Sequence, residues 1–163
     1  MTNKSDLKAG VVLNPNAGGG KALKFASEVR ELIGGLYQSV ETVETGHRGH
    51  AIGLTRHLLQ DADVDHVWVV GGDGTMNEAI NGYLGDEGQP VRPGSSIGGI
   101  PAGTGGDFAR TTGMRALDWR ESVRRSIARD IDCGSVEFID HHGRTSRRHF
   151  LNIASFGSSG LVT

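Results

Sequence analysis

Three glycine-rich clusters interrupt the chain, and each directly follows a short apolar run. The clusters occupy residues 14–20, 71–75 and 101–106. Glycine supplies 26 of the 163 residues, well above its usual share of ~7%. No Gly-X-Y period is present, which excludes a collagen-like chain. Glycine at these points allows tight turns and lets the backbone come close to another group.

Strand and helix patterns alternate along the first 130 residues. Short apolar or alternating runs predict strands at 11–13, 39–45, 66–70 and 96–100. Apolar residues at helical spacing predict helices over 22–33, 51–59, 76–84 and 118–129. This alternation predicts an α/β fold with a parallel sheet and helices on both faces. The glycine clusters would then lie at the carboxyl edge of the sheet, where such folds bind ligands.

The pattern changes after residue 130. Residues 131–138 and 149–156 predict two antiparallel strands, joined by a polar turn at 140–144, with no helix to cover them. A hairpin alone is only marginally stable in water. We therefore expect residues 1–130 to form one domain, and residues 131–163 to be the first hairpin of an incomplete antiparallel β domain.

Composition excludes several classes of protein. A net charge of −2 argues against a nucleic-acid-binding domain, and a single cysteine, Cys133, excludes an internal disulfide. No apolar run approaches the ~18 residues of a membrane span, and the first residues do not resemble a secretory signal. The expected location is the cytoplasm.

The most informative cluster is Gly71-Gly72-Asp73-Gly74-Thr75, between a buried strand and a helix. It matches neither the P-loop nor the Rossmann glycine pattern. Its glycines would let N–H groups turn toward a phosphate at a helix N-terminus. Asp73 would repel that phosphate unless a divalent cation or a hydroxyl donor lies between them. The alternative is a tight turn in which Thr75 caps the helix and Glu78 completes a capping box.

The other two clusters have similar alternatives. Asn14 can offer its amide to a ligand, although residues 14–20 can also be a flexible loop. Thr104 can donate its hydroxyl to a phosphate, and Arg110 can pair with an anion or with Asp107. Asp107 can instead cap a helix. His47 and His50 have metal-ligand spacing but no carboxylate or thiol nearby in sequence.

Together these clusters resemble the diacylglycerol kinase catalytic domain family, which also covers sphingoid and bacterial lipid kinases. The matching motifs are Asn14-Pro15-x-Ala-Gly, the segment 71–78, and Pro101-x-Gly-Thr-x-x-Asp-Phe-Ala-Arg110. NAD kinases and phosphofructokinases have similar Gly-Gly-Asp-Gly-Thr loops, but the first and third motifs favour the lipid kinase branch. Gly106 stands where the family usually has asparagine, so one side-chain amide is missing.

The resemblance implies that the segment binds ATP, with Mg²⁺, between two domains, and that the protein transfers the γ-phosphoryl group to a lipid hydroxyl such as that of diacylglycerol. We expect Asp73 to be the catalytic residue of this segment, either as a metal ligand, directly or through water, or by orienting the acceptor. The family's general base, a glutamate, and most of its magnesium-binding acidic residues would lie in the second domain, which we expect this chain to lack. The implied ATP contacts are Asn14, Pro15, Asn16, Ala17, Gly18, Thr45, Gly71, Gly72, Asp73, Gly74, Thr75, Met76, Asn77, Glu78 and Thr104.

The expected partners are ATP, a lipid acceptor, the inner face of a membrane and a second copy of the chain, with no nucleic acid. The arginines of residues 115–129 are typical of a solvated helix face, but they could also contact anionic headgroups. Two other functions stay open at this point. One is an NAD kinase-like or sugar kinase with a soluble acceptor, and the other is a non-catalytic ATP-binding module.

Overall fold

The computed structural model describes residues 3–102, 106–112, 118–125 and 127–151, without the side chains of Phe25 and Thr111. A 3-10 turn at Lys4–Asp6 precedes the first strand. The elements that follow in chain order are β1 (Lys8–Leu13), α1 (Ala17–Gly34), β2 (Ser39–Glu44), α2 (His50–Gln60), β3 (His66–Gly71), α3 (Asp73–Tyr83), β4 (Ser96–Pro101), α4 (Asp107–Thr111), α5 (Trp119–Arg125), β5 (Gly134–Ile139) and β6 (Thr145–Phe150).

Strands β1 to β4 form a parallel sheet in the order β2-β1-β3-β4, which confirms the predicted α/β fold. The register aligns Leu13 with Glu44 and Val70, and it aligns Gly71 with Pro101. The four strands therefore end at the same edge of the sheet. The loops that leave β1, β2 and β3 start side by side there, as predicted for the first two glycine clusters.

The sheet lies between two layers of helices, because alternate side chains of each strand point to opposite faces. Val11 and Leu13 belong to the core that packs against α1 and α5. Val12 and Val69 belong to the core on the other face, which packs against α2, α3 and α4. All residues of β3 after His66 are buried, so this strand anchors the loop that follows it.

Two helix predictions were wrong in their boundaries. Helix α3 begins at Asp73 rather than at residue 76, and α5 ends at Arg125 rather than at residue 129. Lys4 donates hydrogen bonds to the carbonyls of Val123 and Arg124, which satisfies two acceptors in the last turn of α5. Beyond that turn Ile127 is 81% exposed, so its apolar side chain does not hold a helix against the core.

The predicted hairpin is present, but its strands are shifted. Strand β6 begins at Thr145 rather than at residue 149, and β5 runs from Gly134 to Ile139. The first four residues of β6 are polar, so the hydrophobic pattern of the sequence did not reveal them as a strand. The prediction that no helix covers the hairpin was also wrong for one face, because Asn81 of α3 exchanges two hydrogen bonds with the backbone of His149, at 2.9 and 3.0 Å. Residues 152–156 of the predicted second strand lie outside the described residues.

Candidate functional site

A cavity of about 630 Å³ opens at the carboxyl edge of the sheet, above β1, β2 and β3. Its walls come from the β1–α1 loop, the β2–α2 loop and the first turns of α3. The lining residues are Asn14, Asn16, Ala17, Gly18, Thr45, His47, Arg48, Gly72, Asp73, Gly74, Thr75 and Glu78.

The β1–α1 loop is tied to α3 by Asn14. Its side-chain amide donates to the Thr75 hydroxyl at 2.8 Å, and its side-chain oxygen accepts from the N–H of Asn16 at 3.0 Å. Residues 18–20 lie within the bounds of α1 but have left-handed, non-helical backbone angles, so in conformation they continue the loop. Gly18 has φ +60°, and a Cβ there would lie 2.1 Å from the carbonyl oxygen of Ala102. Only glycine fits at this point, so the loop passes closer to the β4 end than any side chain would allow.

The first turn of α3 supplies donors to the cavity. An α-helix leaves its first N–H groups without intrahelical acceptors, and in α3 these belong to Asp73, Gly74 and Thr75, which all line the cavity. A Cβ at Gly74 would meet nothing within 4 Å, so the space beside it is open. The positive end of the helix dipole also favours an anion at this position.

The predicted capping box at the start of α3 was wrong. The N-cap residue is Gly72, with no side-chain cap, and Thr75 lies inside the helix. The Glu78 carboxylate instead reaches the start of α2, where it accepts from the N–H groups of Gly49 at 2.8 Å and Ala51 at 3.3 Å. Glu78 therefore caps a different helix and fixes the β2–α2 loop against α3.

Asp73 holds α3 and α4 together. Its carboxylate accepts from the backbone N–H groups of Gly106 at 2.9 Å, Asp107 at 3.1 Å and Phe108 at 3.1 Å. Burial raises the pKa of Asp73, but these three N–H groups and the charge of Arg110 outweigh that effect and lower the pKa below its usual value. Asp107 does not cap α4 with its side chain; it pairs with Arg110.

The cavity brings together most of the sequence-predicted residues but not all of them. Thr45 lines it and is buried, next to the end of β2. Pro15, Gly71, Met76 and Asn77 are not among its lining residues, and Met76 packs in the core below. Thr104 lies outside the described residues.

Two lining residues, His47 and Arg48, were not among the ATP contacts implied by the sequence, where His47 was considered only as a metal ligand. Both follow β2 in the same loop as Thr45. Arg48 could have been found from its position, because it is a cation shortly after a parallel strand, at the edge of the sheet where the glycine clusters lie.

Within the described ranges, no group of three or more histidine, cysteine, aspartate or glutamate side chains is placed to hold a metal ion. The rings of His47 and His50 stack with centroids 4.6 Å apart, and Nδ1 of His50 accepts from the N–H of Gly46 at 3.0 Å. The described helices also include none that is long and apolar enough to cross a bilayer.

Comparison with known proteins identifies relatives over nearly the whole chain. The diacylglycerol kinase of Bacillus subtilis is 28% identical over 156 residues, which are 92% of this chain and 46% of that protein. Sphingoid long-chain bases kinase 1 of Arabidopsis thaliana is 35% identical over 154 residues, covering 87% of this chain and 20% of that protein. The crystal structure of a diacylglycerol kinase from Bacillus anthracis superposes with a TM-score of 0.63 at 24% identity, over 93% of this chain and 50% of that one.

The chain thus spans about half the length, or less, of the curated relatives it matches. The family's sequence model, described as the diacylglycerol kinase catalytic domain, matches residues 8–136, and this range contains all the elements that form the cavity. The resemblance inferred from the three glycine clusters is confirmed: the chain belongs to the diacylglycerol kinase catalytic domain family.

Proposed function

We propose that this chain supplies the ATP-binding part of a lipid kinase, which transfers the γ-phosphoryl group of ATP to a lipid hydroxyl such as that of diacylglycerol. The observation that carries the proposal is the cavity in which the left-handed glycine stretch at residues 18–20, the first turn of α3 and Arg48 converge. The Arg48 guanidinium has no partner among the described residues. Membership of the diacylglycerol kinase catalytic domain family supports the same reading.

In this proposal the backbone binds the phosphates. The N–H groups of Gly74 and Thr75 donate to phosphate oxygens, and the open space beside Gly74 admits them. Asn14 and Thr45 also line the cavity, and in this proposal they orient the rest of the nucleotide. Asp73 acts mainly as a positioning residue, because its carboxylate already holds the start of α4.

Mg²⁺ would enter this site as the ATP complex and would neutralise phosphate charge. The described residues do not form a metal site by themselves. Asp73 accepts three N–H groups and Glu78 accepts two, so each carboxylate has part of its acceptor capacity already in use. We propose that any contact of Asp73 with the ion passes through water, and we assign this chain no further role toward the metal.

Transfer requires that the acceptor oxygen approach the γ-phosphorus opposite the leaving ADP oxygen. A bond forms from the acceptor oxygen to phosphorus, the bond from phosphorus to ADP breaks, and the hydroxyl proton passes to a base. We propose that this base, a glutamate, comes from a second domain that begins near residue 131 and includes the β5–β6 hairpin. The contribution of residues 1–130 would then be to hold the donor in place.

The acceptor is a membrane lipid, so the protein must meet a bilayer surface. We propose that it does so from the cytoplasmic side, as a peripheral protein, with arginines of α5 and the residues after it near anionic headgroups. Arg124 and Arg129 are both exposed.

The experiment is a transfer assay on the intact protein with γ-labelled ATP and four separate acceptors: diacylglycerol micelles, a sphingoid base, NAD and a hexose. The proposal predicts label in a lipid and none in NAD or the sugar. Label in NAD or the sugar would contradict it and favour the soluble-substrate kinases. ATP binding with no transfer to any acceptor would favour a binding module.

A further inference from the structure

Arg48 is the one permanently charged cation among the described residues that line the cavity. Most arginines of the domain are engaged: Arg30 pairs with Glu44, Arg92 with Asp63 and Asp65, and Arg110 with Asp107. No described residue accepts a hydrogen bond from the guanidinium of Arg48. A cation at a cavity wall with its five donors unused is suited to an anionic ligand.

The loop that carries Arg48 is fixed at several points. At its start, the N–H of Thr45 donates to the carbonyl of Leu13 at 2.9 Å. At its end, Glu78 accepts from the N–H groups of Gly49 and Ala51. Gly49 has φ +85°, a conformation that L side chains rarely adopt, so the turn directly after Arg48 is set by the backbone.

The two carboxylates of the cavity do not compete for Arg48. The Asp73 carboxylate accepts three N–H groups at the start of α4, and the Glu78 carboxylate accepts two at the start of α2. Their charges are therefore partly compensated by backbone dipoles, and Arg48 keeps its charge available for a ligand. Across the cavity, the first turn of α3 presents N–H groups to the same space.

We propose that Arg48 binds phosphate oxygens of the nucleotide, and that Glu78 is a positioning residue that holds the Arg48 loop against α3. This inference rests on the proposed ATP site, and it names a charged contact that the sequence analysis did not include. Guanidinium pairs with phosphate through two parallel N–H···O bonds. Lysine cannot reproduce this geometry, and glutamine keeps an amide donor but carries no charge.

The test measures dissociation constants of the intact protein for ATP and for adenosine, the latter by competition against a fluorescent ATP analogue. Arg48→Gln should weaken ATP binding about 10-fold or more, and it should change adenosine binding less than twofold. Arg30→Gln is the matched control, because it removes the same charge from an exposed ion pair outside the cavity, and it should leave both constants unchanged.

If Arg48→Gln leaves ATP affinity unchanged, or weakens ATP and adenosine equally, the phosphate contact is refuted while the ATP site itself stands. If the unmodified protein binds no ATP, the proposed function fails first. Glu78→Gln tests the positioning role in a double-mutant cycle. Arg48→Gln should weaken ATP binding by a smaller factor in the Glu78→Gln protein than in the unmodified protein. An equal loss of ATP affinity in the two proteins would refute the role of Glu78. Thermal unfolding of each variant checks that it is folded.

Discussion

Replacing Asp73 with alanine should detach the start of α4 from α3. The change removes one charged acceptor from three backbone N–H groups, those of Gly106, Asp107 and Phe108. Hydrogen bonds to charged groups contribute ~1.5–3 kcal/mol each when fully buried, but Asp73 is only half-buried and water can replace part of the loss. We therefore expect a loss of about 2–4 kcal/mol in the free energy of unfolding, and about half of that for Asp73→Asn, which keeps one oxygen.

The assay combines urea unfolding with amide hydrogen exchange. Asp73→Ala should speed exchange at residues 106–108 more than in β1 or β3, because α4 opens locally before the sheet unfolds. Asp86→Ala is the control, since Asp86 is also an acidic residue but is exposed and outside the cavity, and it should change neither measurement.

The same contact gives Asp73 a predicted pH dependence. Its pKa is lower in the folded chain than the usual 3.8, so its contribution to stability is complete above the unfolded-state pKa and disappears as the pH falls through the folded-state pKa. Acidification should therefore release the amides of residues 106–108 in the unmodified protein and add little in Asp73→Ala. Unchanged hydrogen exchange at residues 106–108 in Asp73→Ala would show that Asp73 does not hold the start of α4, and would leave it only a possible contact with a ligand.

Three further predictions concern other parts of the chain. Gly18→Ala should destabilise the protein by more than ~2 kcal/mol, and Gly19→Ala by only ~1 kcal/mol. Both glycines have positive φ, but only a Cβ at Gly18 meets a backbone oxygen. Urea unfolding of the two variants measures this, and equal losses of unfolding free energy would contradict it. The hydrogen bond to Asp61 raises the pKa of His57, with Glu41 adding to it, so this stabilisation is present below the unfolded-state pKa of 6.5 and is lost as the pH rises through the folded-state pKa. His57→Gln should therefore flatten the change of the unfolding midpoint with pH in that window, and an unaltered profile would count against the pairing. Phe138 on β5 is 39% exposed, and we expect its strand to promote self-association; Phe138→Ser should make the chain more monomeric in light scattering, whereas Leu23→Ser, at a residue 54% exposed on α1, should not.

The parallel sheet was predictable because its signals are local. Val11, Val12 and Leu13 form a continuous apolar run, as expected of a strand buried on both faces, and β1 and β3 pair in parallel, as the alternation of strands and helices predicts. The position of the cavity was predictable for the same reason, since the first two glycine clusters directly follow β1 and β3.

The roles of individual side chains in the site were less predictable, because they depend on contacts between residues distant in sequence. Glu78 has the spacing of a capping box with Thr75, yet it caps α2, 27 to 29 residues earlier in the chain. Asp73 bonds to N–H groups 33 to 35 residues later. Neither contact leaves a periodic or compositional signal in the sequence.

The central claim is that the cavity at the carboxyl edge of β1, β2 and β3 binds the ATP phosphates. The most direct measurement is a titration of the isotopically labelled protein with Mg·ATP, followed by amide chemical shifts in NMR spectra. The account predicts the largest shifts at Gly18, Thr45, Arg48 and Gly74, with smaller shifts from adenosine at the same amides. Shifts concentrated elsewhere, for example on β5 and β6, or no shifts at millimolar ATP, would contradict it.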